Sequence, residues 1–111
     1  MTSPTAALLR IYTDERARAG GRALYEAVVL AARDAGLAGA TVLRGPLGFG
    51  ASHRIHTAKI LDLSGELPLV IEIVDDEARL REFARDLDRL GGFGLITLER
   101  VEVLHAPRRG S

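Results

Sequence analysis

Two segments with helical periodicity, each set between apolar β-branched runs, limit the folds open to this chain. In the first, Leu24, Ala27, Val28, Ala31 and Ala35 recur at spacings of three and four from Arg22 onward, and Gly36 stops the pattern. That spacing predicts a helix over about residues 20–35. In the second, Leu80, Phe83, Ala84, Leu87 and Leu90 form one apolar stripe that ends at Gly91-Gly92. Asp75 and Asp76 stand where N-cap oxygens are wanted, and Glu77 in the first turn complements the helix dipole.

Four strands flank these helices. Ala6 to Tyr12 reads as the first, Gly39 to Arg44 as the second, Leu67 to Asp75 as the third and strongest, and Gly94 to Leu104 as the fourth. Pro68 sits at the start of its strand, where a missing N–H is tolerated. The order β-α-β-β-α-β is the α+β, ferredoxin-like arrangement, with two helices on one face of an antiparallel sheet. The core of this single domain runs over about residues 7–104 of 1–111, and residues 105–111 form a polar, frayed tail.

Strand parity then carries information. If Leu9, Ile11, Ile71 and Ile73 face the helices, the opposite sheet face receives Leu8, Arg10, Tyr12, Val70, Glu72 and Val74. That face is too apolar for bare solvent yet carries charges of both signs. Its simplest cover is another copy of the chain in closed symmetry, with Arg10 and Glu72 as candidates for buried or interface ion pairing.

The bulk numbers narrow the function classes. A chain of 111 residues with 47% apolar and 27% charged residues has the balance of one ordinary globular domain. Fifteen basic residues cancel fifteen acidic ones, leaving no field that would hold nucleic acid or an anionic membrane by counterion release. The absence of cysteine removes disulfides, thiolate metal sites and thiol nucleophiles. Neither a signal-peptide pattern nor a spanning run of apolar residues is present, so the expectation is a cytoplasmic protein without direct membrane insertion.

Residues 45–66 stand apart. Gly45, Pro46, Gly48, Phe49, Gly50 and Ser64-Gly65 punctuate the stretch too densely for one element, although Thr57 to Leu63 can extend as a strand arm. It reads as a long, partly mobile excursion, and loops of that length are usually functional. His53, Arg54, His56 and Lys59 lie close together in it, near Arg44, and such donors can hold a phosphate or carboxylate. A solvated loop with no ligand explains them as well. His53 and His56 can also be read as metal ligands, but that i, i+3 spacing suits a helix, and no carboxylate lies nearby before Asp62. Gly48-Phe49-Gly50 and Gly91-Gly92-Phe93-Gly94 can offer backbone N–H groups to an anion or simply make turns. Phe49 and Phe93 fit packing or stacking on a ligand ring. Ser52-His53 is poor ground for nucleophilic catalysis because adjacent side chains diverge, and Asp75-Asp76-Glu77 is better read as capping than as paired catalytic carboxylates. Arg79 to Arg89 alternates sign at helical spacings, as a solvated face does.

Gly39-Ala40-Thr41-Val42, followed by Gly48-Phe49-Gly50, resembles the entry to the flexible T-loop of PII signal-transduction proteins. Leu67 to Asp76 is similar to the PII strand that leads into the second helix, and Gly91 to Thr97 occupies the place of the glycine-rich B-loop. Ile55-His56-Thr57 and Leu67 to Val74 are similar to the branch grouped as PII-like proteins of unknown function. The resemblance implies a homotrimer whose sheets line its centre, with ligands in clefts between subunits at the loop roots. It further implies a small anionic effector such as ATP or ADP in place of a fixed cofactor, and a transporter, channel or enzyme engaged through the loop. Gly91-Gly92-Phe93-Gly94 departs from the Thr-Gly-Lys stretch of nucleotide-binding members and has no lysine, and the loop has no tyrosine of the uridylylated kind. The expectation is therefore a regulatory protein and not an enzyme, with Arg44, Gly48, Gly50, His53, Arg54, His56 and Gly92 as its ligand contacts. The alternative is a small trimeric enzyme or metal-binding protein on the same scaffold, using His53 and His56.

Overall fold

Residues 5–49, 55–57 and 67–107 are described by the structure, a computed structural model. In chain order the elements are β1 (Ala6–Asp14), β2 (Arg18–Ala19), β3 (Arg22–Ala23), α1 (Leu24–Asp34), β4 (Thr41–Arg44), β5 (Leu47–Gly48), β6 (His56–Thr57), β7 (Pro68–Asp76), α2 (Glu77–Leu87) and β8 (Ile96–Arg100). The main sheet has the order β4-β7-β1-β8, and every pairing in it is antiparallel. Leu24, Val28 and Ala32 of α1 and Leu80, Phe83 and Leu87 of α2 share one core with Ala7, Leu9, Ile11, Ile71 and Ile73. Two helices on one side of a sheet in this strand order make the ferredoxin-like α+β fold.

Register confirms the two faces expected from parity. Leu9 lies opposite Ile73 and Leu98, and Ile11 lies opposite Ile71 and Ile96, all toward the helices. Leu8 lies opposite Val74, Arg10 opposite Glu72, and Tyr12 opposite Val70, all on the other side. Ile11 and Ile71 are fully buried, whereas Val74 is 36% and Leu43 48% exposed, so the outer face of the lone chain is half-wet. Burying one such aliphatic side chain stabilises by roughly 1.5–3 kcal/mol, which is why the period-two pattern dictates the register.

The element ends depart from expectation in places with physical causes. The first helix begins at Leu24, four residues later than the apolar spacing alone indicates, because Gly20-Gly21 closes a two-residue hairpin between β2 and β3. Gly20 has φ 61°, which a turn of this kind requires, and the Ala17 carbonyl accepts from the Leu24 N–H at 2.8 Å. At the other end, Leu37 N–H donates to Ala32 O and Gly36 N–H to Arg33 O with Gly36 at φ 74°, the Schellman pattern that glycine permits. Asp76 holds the N-cap position of α2, but no side-chain cap bond forms. The first free N–H, that of Glu77, instead donates to the Thr5 carbonyl at 2.8 Å.

Strand β8 is shorter than the alternation of residues 94–104 indicates. Pairing with β1 runs on through Gly94 N–H to Tyr12 O and Val101 N–H to Ala6 O, then stops where the partner strand begins. A Cβ at Gly94 would lie 3.0 Å from the Tyr12 carbonyl oxygen, which explains a glycine there. Beyond the ladder Leu104 is exposed.

The α2 start is also tied to β8 by charge. Glu77 accepts from Arg100 Nε at 2.9 Å and from Arg81 Nε at 3.0 Å. The hydrogen bond from Arg100, then that from Arg81, holds the Glu77 carboxyl below its ordinary value near 4.5. A depressed carboxylate favours the folded state above the unfolded pKa, and that contribution disappears as pH falls through the folded pKa. Glu77→Gln is therefore expected to lower stability at neutral pH and to flatten its further loss below about pH 4.5, the two proteins converging in acid, read as urea midpoints against pH.

Candidate functional site

The root of the long loop is built on Pro68. Arg44 ends β4, and the next residue, Gly45, donates its N–H to the Pro68 carbonyl at 2.8 Å. A Cβ at Gly45 or Gly48 would stand 3.1 or 3.3 Å from the Pro68 ring, so the close approach depends on glycine at both positions. The short β5–β6 ladder sets the His56 backbone directly opposite Gly48 and thereby unites two of the expected ligand contacts. Gly50, His53 and Arg54, like Lys59 and the strand arm expected beyond Thr57, lie outside the described residues. Leu47, Phe49 and Ile55 present exposed apolar side chains around this root.

Glu15 is the residue that sequence reasoning missed. Its Oε2 lies 2.9 Å from Arg44 Nη2, and its Oε1 accepts from the Leu67 N–H at 3.1 Å. The Glu15 N–H in turn donates to the Leu67 carbonyl at 3.0 Å. The Glu15 side chain is 17% exposed and the Arg44 side chain 63%, so a sheltered carboxylate holds a largely wet guanidinium. The only available signal was its position: Asp14 pairs with Pro68, which sets Glu15 at the end of the ladder opposite Leu67.

The Gly91–Gly94 turn occupies the other edge of the sheet at the same end. Gly91 and Gly92 have φ 67° and 76°, a conformation that L side chains avoid. A Cβ at Gly92 would stand 3.5 Å from Leu24 Cδ2, so this turn lies against the start of α1, and Phe93 packs on the core. Three interstrand steps separate β8 from β4, which is about 14 Å. One chain thus holds Arg44 and Gly48 on one edge and Gly92 on the other, without bringing them into a single contact.

On the outer sheet face Arg10 Nε pairs with Glu72 at 3.1 Å and Arg10 Nη1 with Glu99 at 2.6 Å. The Arg10–Glu72 pair expected from parity forms within one chain, and Glu99 joins it from β8. Donation to Glu72 first and to Glu99 second raises the Arg10 pKa, so the guanidinium stays charged. A cleft of about 290 Å³ between α2 and β8, lined by Leu9, Arg81, Ala84 and Leu98 among others, includes none of the expected ligand contacts. Among the described residues no cluster of three His, Cys, Asp or Glu could hold a metal, and no helix is long and apolar enough to cross a membrane.

Residues 6–103 match the DUF190 family (Uncharacterized ACR, COG1993). A UPF0166 protein of Aquifex aeolicus is 39% identical over 98 residues, which is 88% of this chain and 92% of the relative. A UPF0166 protein of Methanocaldococcus jannaschii is 33% identical over 75 residues, 68% of each chain. Among solved structures, CPII from Thiomonas intermedia bound to ADP and bicarbonate superimposes with a TM-score of 0.66 at 15% identity, over 88% of this chain and 87% of that one. A second structure of CPII, a nitrogen regulatory PII-like protein bound to ADP, AMP and bicarbonate, gives 0.59 at 16% identity over 88% and 87% of the two chains. At such identities the likeness concerns the fold, and it agrees with the strand order and helix placement found here. With almost the whole chain matched, the protein belongs to the DUF190 family of UPF0166 proteins and has the PII-like form of the ferredoxin-like fold.

Proposed function

We propose that this protein is a PII-like regulator, not an enzyme, in which three copies close over the outer sheet faces and bind a small anionic effector in the clefts between them. The observation that carries this reading is the placement of the loop root and the glycine turn at one end of the sheet on opposite edges. Joining copies edge to edge sets Arg44 and Gly48 of one against the Gly92 turn of the next, which makes a cleft that a single chain lacks. Arg44 supplies charge, and the glycines let backbone N–H groups approach an anion closely. The fold it shares with CPII makes an adenine nucleotide, alone or with bicarbonate, the effector of choice. The loop of residues 45–66, with Leu47, Phe49 and Ile55 exposed at its root, is the part that engages a transporter or channel in the cytoplasm.

Calorimetric titration with ADP, with and without bicarbonate, tests this reading. One site per chain is expected, and Arg44→Ala is expected to weaken binding about tenfold, the effect of one lost charge-assisted hydrogen bond. Absence of ADP binding, or equal affinity in the variant, contradicts it.

A further inference from the structure

We propose that Glu15 is a built-in competitor for the effector's oxyanion, occupying the donors at the loop root until an anion displaces it. The proposal rests on the loop root being the effector site. Glu15 presents a planar group with two oxygens on one carbon, one toward Arg44 Nη2 at 2.9 Å and the other on the Leu67 N–H at 3.1 Å. A guanidinium and a backbone N–H set to receive that group will receive another of the same shape and charge. Bicarbonate and the carboxylates are that class.

The surroundings favour exchange over a permanent structural pair. Arg44 is mostly exposed, so its remaining N–H donors are open to an anion arriving from solvent, whereas Glu15 stands behind it. The donors stay in place when the carboxylate leaves, because Gly45 N–H to Pro68 O and Glu15 N–H to Leu67 O are backbone bonds that do not involve it. An ion pair with one partner this exposed adds little to stability, so its loss leaves the fold intact. Its effect on binding is larger, since every anion at Arg44 must first overcome the resident charge. Glu15 thus sets a threshold: oxyanions that match its two-point contact displace it, and weak single-point anions do not.

The test titrates bicarbonate into the nucleotide-free protein and its variants, with ADP titrated separately and thermal midpoints recorded alongside. Glu15→Gln keeps an acceptor for the Leu67 N–H and removes the charge. It is expected to bind bicarbonate about fivefold more tightly, the ratio that one exposed ion pair supplies. Glu15→Asp, whose shorter side chain draws back from Arg44, is expected to shift affinity the same way and serves if the glutamine variant does not fold. Arg44→Ala is expected to lose bicarbonate binding whichever residue stands at 15. Unchanged or weaker bicarbonate binding in folded Glu15 variants, with ADP binding still dependent on Arg44, overturns the competitor and leaves the effector site standing. If neither ADP nor bicarbonate binds any of these proteins, both fail.

Discussion

Asp75→Ala is expected to lower the free energy of unfolding by about 3 kcal/mol, because removing one member of a buried charged network leaves its partners unsatisfied. Asp75 is 1% exposed and belongs to the helix-facing set of β7. Its carboxylate accepts from the Ala38 N–H at 2.8 Å, the Asp76 N–H at 2.6 Å and Arg79 Nη1 at 3.2 Å. Arg79 carries the connection onward, donating through Nη2 to the Ala35 and Gly36 carbonyls at the end of α1. One buried carboxylate therefore ties the end of β7, the start of α2 and the turn after α1. Urea unfolding followed by circular dichroism checks the value. Asp76→Ala, at a position whose carboxylate accepts from Thr5 near the surface, is expected to cost less than about 1 kcal/mol. Equal costs at the two positions would mean that Asp75 is not the hub.

Val70→Glu is expected to separate the proposed trimer into single chains and to abolish the proposed ADP binding with it. Val70 stands mid-strand on the outer face, opposite Tyr12 on one side and Leu43 on the other. In a lone chain this face is half-exposed, so a glutamate there meets water and the fold survives. Between copies the same glutamate must give up its hydration without a partner, which costs several kcal/mol per site. Circular dichroism should be unchanged while calorimetry with ADP gives no heat. Retained ADP binding by a folded, dissociated variant would show that the site needs no neighbour.

Much of this architecture was legible in the residues. Period-two alternation in β1 and β7 assigned Leu9, Ile11, Ile71 and Ile73 to the core and Arg10 to the outer face with Glu72, because a one-residue slip would expose the whole apolar set. The same parity placed Asp75 beside Ile73 on the buried face, yet two adjacent aspartates before a helix read more simply as caps. The structure makes one of them a buried acceptor and gives neither a capping bond. Other features left no local trace. Strands β2 and β3 are two residues each, too short for any periodicity. The Glu15–Arg44 and Arg10–Glu99 pairs join residues far apart in sequence, and only the strand register decides that they meet. Of the expected ligand contacts, Arg44, Gly48, His56 and Gly92 have positions in the described fold, and the first three gather at the loop root while Gly92 lies across the sheet.

Whether neighbouring copies complete the cleft is decided most directly by sedimentation equilibrium of the purified protein at micromolar concentration. A mass three times the 11.9 kDa of one chain is the result this account requires. A mass of 11.9 kDa that still binds ADP at full affinity would contradict it.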